Sequence, residues 1–278
     1  MNNEVIAIQG IEGSFHHQVA REYFGEQVQV SMCSSFRELA EQVAQHSVTK
    51  AVMAIENSTA GSILPNYAYV DEYELEVVGE HYIPVKMNLM ALPGETLESI
   101  TEVYSHPIAL LQCKNFFKQY PHIKLIEDND TAEAAKRIAE QGLKNTAAIA
   151  STTAAEIFKL NLLAESIHSE QTNTTRFLII SKNGEQVEQA DKASLKLILK
   201  HEQGSLLKAL QILDRYGLDM TKIQSLPIVD EPWKYSFFID VTFKELPVFV
   251  EAMKALEEVS EAHKILGIYK NKNHETRQ

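Results

Sequence analysis

The chain has 278 residues, 45% of them hydrophobic, which is enough for one large domain or two ordinary ones without disulfide or metal staples. Its formal net charge of −12 excludes a nucleic-acid partner held through phosphates, since that needs clustered Lys and Arg. No stretch approaches the roughly 20 apolar residues of a membrane span and the start does not read as an export leader. The two cysteines, Cys33 and Cys113, lack C-x-x-C spacing, so the expectation is a reduced, cytoplasmic protein with no membrane partner.

The first part of the chain alternates short Val- and Ile-rich runs with amphipathic stretches. Strands are predicted at 5–9, 28–32, 51–55, 75–78, 87–92, 102–105, 124–127, 147–150 and 175–181. Helices are predicted at 15–24, 36–45, 107–117, 131–141 and 152–158, with a further helix after residue 62. Runs of four to six apolar residues suit parallel strands covered on both faces, and the strand–helix alternation means an α/β fold. Residues 182–192 (KNGEQVEQADK) carry five charges and read as a linker or exposed turn. Beyond it the order is strand 193–199, helix 205–216, strands 220–229 and 235–242, helix 247–258 and strand 263–269. That is a βαββαβ module of the ferredoxin-like kind.

The charge is uneven. Residues 1–182 hold 13 Lys+Arg against 23 Asp+Glu, a net of −10, and residues 183–278 hold 13 against 15, a net of −2. An anion bound by the first part would therefore rely on local donors, not on long-range steering.

Four polar islands lie at the ends of apolar runs, where loops on a rigid scaffold carry function. The first is 10–15 (GIEGSF), whose glycines allow tight turns ahead of a helix start that offers N–H groups to an anion. The second is 56–62 (ENSTAGS); its hydroxyls suit helix capping, but Glu56 has no capping role there. The third is Ser105-His106-Pro107 with Gln112 and Cys113 beyond it, where His106 suits either acid–base work or a helix cap. The fourth is 172–177 (TNTTRF), where Arg176 at the mouth of a buried strand suits either a carboxylate or a structural ion pair. Nucleophile-elbow, phosphate-loop, dinucleotide and metal-ligand spacings are missing, so the expected chemistry uses no cofactor and no metal.

Taken in order, these segments resemble the prephenate dehydratase family. GIEGSF (10–15) is similar to its G-P-x-G-[ST]-[FY] opening, with Ile11 in place of Pro. AVMAIENSTAG (51–61) is similar to V-x-P-I-E-N-S-x-x-G, with Ala54 for Pro. SHPIALLQC (105–113) matches S-H-P-x-x-L-x-Q-C, and NTTRF (173–177) matches N-x-T-R-F. Asp130-Thr131-Ala132 and AAIAS (147–151) match further segments. The C-terminal part resembles an ACT amino-acid-sensing module. Gly204-Ser205-Leu206 is similar to its G-A-L motif, and its E-S-R-P segment stands here as Gln224-Ser225-Leu226-Pro227.

The resemblance implies a two-lobed catalytic domain like that of periplasmic binding proteins, over residues 1–182. Lobe one would span about 1–78 and 165–182, and lobe two about 79–164. A linker at 183–192 and a ferredoxin-like ACT domain at 193–271 would follow. The implied activity is conversion of prephenate to phenylpyruvate with loss of carbon dioxide and water, feedback-regulated by phenylalanine, in a homodimer or homotetramer. Such an elimination needs grips for two carboxylates, a donor to the departing hydroxyl and a dry cleft. The family pattern assigns catalysis to Thr175, Arg176, Glu56, Asn57, Ser58 and His106. In this assignment Arg176 grips a carboxylate, Thr175 donates to the hydroxyl, and Glu56 or His106 supplies the proton. Substrate binding falls to Ser14, Phe15, Thr59, Gly61, Asn173 and Phe177, and effector binding to Gly204, Ser205, Leu206, Gln224, Ser225 and Pro227. Arogenate dehydration and non-catalytic binding of a small anion are the alternatives for the first part. Sensing of another amino acid, or a purely structural dimerisation role, is the alternative for the second.

Overall fold

The structure is a computed structural model and describes residues 4–170, 172–185, 187–228, 231 and 233–272. In chain order, the first part contains β1 (Val5–Gln9), α1 (Phe15–Phe24), β2 (Gln29–Cys33), α2 (Phe36–Ala44), β3 (Lys50–Asn57), β4 (Gly61–Ser62), α3 (Leu64–Glu72) and β5 (Glu76–Pro84). A middle part follows with β6 (Asn88–Ala91), β7 (Glu102–Ser105), α4 (Pro107–Phe117), β8 (Lys124–Glu127), α5 (Thr131–Gln141), β9 (Thr146–Ala150), α6 (Thr152–Phe158) and β10 (Asn161–Ala164). The chain then returns through β11 (Thr174–Ser181). The C-terminal module holds β12 (Lys192–Leu199), α7 (Ser205–Arg215), β13 (Asp219–Pro227), β14 (Tyr235–Thr242), α8 (Leu246–Val259) and β15 (Ser260–Tyr269). Among the described residues no helix is long and apolar enough to cross a membrane.

The described residues form three sheets. The first has the order β2-β1-β3-β11-β5, with β4 paired to β3. The second runs β10-β6-β9-β7-β8, and the third β13-β14-β12-β15. The parallel pairing expected from the apolar runs holds only in part. β1, β2 and β3 run parallel, as do β7, β8 and β9, but β11 is antiparallel to both its neighbours and β6 to β9. The continuous apolar runs signalled burial on both faces, which these strands share whatever their direction. The first lobe also extends further than expected: β5 stays in the first sheet to Pro84, paired with Thr174 of β11, so the chain leaves that lobe near residue 85 and not at 78.

Helix boundaries follow local chemistry. Ser14, Ser35, Asp130 and Ser151 cap α1, α2, α5 and α6 by accepting a backbone N–H two or three residues on. His106 does the same for α4 through its Nδ1, with Pro107 at the first helical position.

The C-terminal module has the strand order of a ferredoxin-like fold, and one face of its sheet packs on α7 and α8 around Leu195, Leu197, Phe249 and Leu256. The other face packs on the first lobe. Phe238, Leu266 and Tyr269 join Tyr67, Val70, Val77 and Leu178 in one core. β15 approaches β5 so closely that a Cβ on Gly267 would stand 2.0 Å from the Val77 carbonyl oxygen. Lys192, expected in the linker, is the first residue of β12 with its side chain 1% exposed, because its ammonium is bonded to Glu80 of β5. The strand expected at 220–229 ends at Pro227; Val229 lies outside the described residues.

Candidate active site

A cleft of about 270 Å³ lies between the first and second sheets, near the lower bound of roughly 300 Å³ typical of small-molecule sites. The first lobe supplies Ser14, Phe15 and His16 from α1 and Ala54, Asn57 and Ala60 from β3 and the loop after it. β11 and the turn before it supply Asn173, Thr175 and Phe177. The second lobe supplies His106, Ile108 and Gln112 from α4, and Asp130 and Thr131 from α5.

Three helices, of 10, 11 and 11 residues, begin at this cleft: α1, α4 and α5. Helix N-termini carry partial positive charge and unpaired N–H groups, so the cleft suits an anion although none of the described residues lining it is Lys or Arg. The lobes also touch directly, where Ser151 Oγ donates to the Gly13 carbonyl at 2.6 Å.

A directed hydrogen-bond chain organises the wall. Asn57 Oδ1 accepts from the backbone N–H of Thr59 (3.0 Å) and Ala60 (2.8 Å), which fixes which end of the amide faces inward. Its Nδ2 donates to Thr175 Oγ1 at 2.8 Å and to Asn173 Oδ1 at 2.6 Å. Thr175 Oγ1 is thus an acceptor toward Asn57, and its own proton is not committed to that bond. Asn173 Nδ2 in turn donates to Gln112 Oε1 at 3.3 Å, carrying the chain across to the second lobe. The Nδ1 of His106 accepts from the Ile108 N–H at 3.3 Å, so in the neutral ring the proton sits on Nε2. His16 is pushed down to about 3 by burial and stays neutral, its Nε2 accepting from the Ala54 N–H at 3.4 Å.

Of the residues expected in catalysis or substrate binding, Ser14, Phe15, Asn57, His106, Asn173, Thr175 and Phe177 line the cleft. Ser58 lies just outside, its Oγ donating to the Thr172 carbonyl and accepting from the Thr174 N–H, so that it ties the loop to β11. Thr59 contributes its backbone to Asn57, and Gly61 starts β4 with φ +85°, a conformation that favours glycine.

Two expectations need correction. Arg176 does not reach the cleft. Successive residues of a strand face opposite sides, and Thr175 and Phe177 take the cleft side. Its guanidinium is buried behind β11, donating from Nε to Glu80 Oε2 at 2.8 Å, from Nη1 to Asp240 and from Nη2 to Tyr269 Oη at 2.9 Å. Glu56 is also turned away. A bulge in the β3–β11 pairing leaves Ile55 without a partner, so Ala54 and Asn57 share the cleft face while Ile55 and Glu56 face the back. Glu56 pairs there with Lys222 of the C-terminal module at 2.7 Å.

Several lining residues were not assigned a role from sequence: His16, Gln112, Asp130 and Thr131. The available signal was that helices starting at the carboxyl ends of parallel strands aim their first turns at one crevice. Among the described residues no group of three or more His, Cys, Asp or Glu is placed to hold a metal ion.

In the C-terminal module, Gly204, Ser205 and Leu206 line a second cavity of about 490 Å³ together with Lys200, Trp233 and Phe237. Gln224, Ser225 and Pro227 lie on the edge strand β13 and do not line it, so one chain does not bring the two halves of the expected effector site together.

Residues 6–185 match the family model described as prephenate dehydratase. A bifunctional chorismate mutase/prephenate dehydratase of Aquifex aeolicus (strain VF5) is 33% identical over 266 residues, 95% of this chain and 73% of the relative. A prephenate dehydratase from Arthrobacter aurescens, solved in complex with L-Phe, superposes with a TM-score of 0.85 at 25% identity, covering 96% of this chain and 90% of that one. A chain described as GqqA, a novel type of quorum quenching acylase, superposes with a TM-score of 0.88 at 28% identity, covering 98% of this chain and all of that one.

Proposed function

The chain belongs to the prephenate dehydratase family, and from that premise we propose that its cleft converts prephenate to phenylpyruvate, carbon dioxide and water as a hydro-lyase of phenylalanine biosynthesis. The observation that carries the reading is the Asn57–Thr175 hydrogen bond on the cleft wall, whose direction leaves the Thr175 proton uncommitted to Asn57. In this reading the first turns of α1, α4 and α5 hold the two carboxylates with neutral donors. Thr175 donates to the departing hydroxyl, and His106 supplies the proton that leaves with it as water. As the ring carboxylate departs as carbon dioxide, its electron pair enters the ring and expels that hydroxyl. Asn57, Asn173 and Gln112 hold Thr175 and the two lobes in register; Arg176 and Glu56 act from behind the sheet and touch no substrate.

We assign the C-terminal module as an ACT-type regulatory domain with phenylalanine as its effector. Support comes from its ferredoxin-like strand order, the cavity beside Gly204, Ser205 and Leu206, and the L-Phe complex of the Arthrobacter aurescens protein. An effector site that also uses Gln224, Ser225 and Pro227 needs β13 of a second copy beside that cavity, which favours a homodimer or a larger even assembly. Free, buried thiols at Cys33 and Cys113 fit the cytoplasm as its location.

The test is incubation with prephenate, reading phenylpyruvate by its absorbance in base, with arogenate in parallel. Formation of neither phenylpyruvate nor phenylalanine would overturn the assignment. For the effector, calorimetric titration with phenylalanine should give a saturable heat; a flat trace at millimolar ligand removes the regulatory reading.

A further inference from the structure

We infer that Lys222, which belongs to the C-terminal module, is a positioning residue for the cleft: it staples shut the hairpin that orients Asn57. The inference rests on the dehydratase reading for its activity readout, though not for its geometry.

The hairpin is short. β4 contributes two residues, and its closing pairs are Glu56 with Ser62 and Asn57 with Gly61. Residues 58–61 at its tip are exposed, so little packing holds them, and the Ser58 bonds to Thr172 and Thr174 anchor only its leading side. Yet the tip does the orienting, because the Thr59 and Ala60 N–H groups are what turn the Asn57 amide toward Thr175. Lys222 grips both members of the outer closing pair, its Nζ 2.7 Å from Glu56 Oε1 and donating to Ser62 Oγ at 2.8 Å. Its ammonium also lies 5.7 Å from the centroid of the Tyr67 ring, and the side chain is 9% exposed.

Lys222 reaches this position because of an irregularity in its own strand. The β13–β14 register shifts between Met220 and Lys222, so that Met220 packs toward the helices of the module while Lys222 turns to the first lobe. In a regular strand, residues two apart share a face; the extra residue re-aims Lys222. The pair it makes is not built for stability. Glu56 is 37% exposed, and ion pairs of that kind contribute little to folding. What the contact fixes is the separation of the two chain segments that flank the exposed tip, one residue from the Asn57 that orients Thr175.

The test uses steady-state kinetics on prephenate and amide hydrogen exchange at Thr59 and Ala60, both on the full chain. Lys222→Met keeps the aliphatic stem packed. It should lower kcat by about tenfold or more, since small misplacements near the reacting group act on turnover, while KM moves much less. It should also speed exchange at Thr59 and Ala60 at an unchanged melting temperature. Lys222→Arg, which retains donors for both partners, should restore most of kcat. In a Glu56→Gln background Lys222→Met should have a smaller effect than alone, because the two residues act as one unit. A kcat for Lys222→Met within about twofold of wild type, or full additivity with Glu56→Gln, overturns the inference. Should the wild type fail to convert prephenate, the dehydratase reading falls; faster exchange in Lys222→Met then upholds the staple, and unchanged exchange removes it too.

Discussion

Thr175 and Arg176 are neighbours in the chain but face opposite sides of β11, the hydroxyl bonded to Asn57 on the cleft wall and the guanidinium bonded to Glu80, Asp240 and Tyr269 behind it. The residue beside the candidate donor is therefore a junction between the first lobe and the C-terminal module. Around it, Lys192 donates to Glu80 and Ser194 to Asp240, so two cations and two carboxylates share one buried site. Two parts of the cleft wall, the Thr175 strand and the Asn57 hairpin, are thus backed by the same module.

Removing the Arg176 side chain should unsettle the fold more than it weakens substrate binding. Arg176→Met strands Glu80 and Asp240 partly unpaired in the interior, which costs about 3–5 kcal/mol. Arg176→Lys should recover little of that, because one ammonium cannot bond three partners in the plane of a guanidinium. Urea unfolding measures it. A variant of wild-type stability with a raised KM would instead return Arg176 to the substrate.

Thr175→Val should fold normally and lose turnover on the order of a hundredfold or more, since it deletes one oriented donor. Its effect on stability should stay near 1 kcal/mol, the value of one hydrogen bond to Asn57. Kinetics with a parallel thermal melt checks both. Wild-type kcat in a folded Thr175→Val would remove Thr175 from the mechanism.

Acid should destabilise the protein through His16 before the carboxylates titrate. Burial pushes His16 down to about 3, while an unfolded chain protonates its histidines near 6.5. The unfolded state therefore binds the extra proton between those limits, so this contribution is complete above pH 6.5 and is lost as pH falls toward 3, by up to about 5 kcal/mol. Asp240 acts later. Burial works to raise it, but Arg176 and Lys192 outweigh that and hold it below the usual carboxylate range, so its share is present above pH ~4 and lost below. Stability measured against pH should flatten between 6.5 and 4.5 in His16→Gln; an unchanged slope would contradict the assignment.

Gly267→Ala should loosen the module from the first lobe. The added methyl meets the Val77 carbonyl carbon at 2.8 Å and its oxygen closer still, and relief requires β15 to shift from β5. Overpacking of this sort costs about 1–3 kcal/mol. Differential scanning calorimetry should show a lower melting temperature or a split transition, and a superimposable trace would show that the strands part freely.

Much of this was legible in the chain itself. Capping residues and apolar runs marked most elements within a residue or two, and Ser14, Asn57, His106 and Thr175 all came from polar islands at strand ends. The failures have specific causes. Arg176 looked like a carboxylate ligand because a lone arginine beside hydroxyls gives no sign of which face it takes; that depends on strand parity and on Glu80 and Asp240, 96 and 64 residues away. Glu56 was misplaced by the bulge at Ile55, which a linear pattern hides. Lys192 read as linker because its partner Glu80 lies on another strand.

The position of β11 also governs the order in which the molecule can be made. It lies between β3 and β5, so the first sheet lacks the strand that joins β5 to the rest until residues 174–181 have emerged from the ribosome. The second sheet, by contrast, uses only strands between residues 88 and 164 and can close earlier as a unit. Among the described residues β5 has no other neighbour in its sheet and must wait beside an unfilled gap. The candidate donor Thr175 sits at the leading end of the strand that closes this gap, so completion of the first sheet and assembly of the cleft are one late, non-local event.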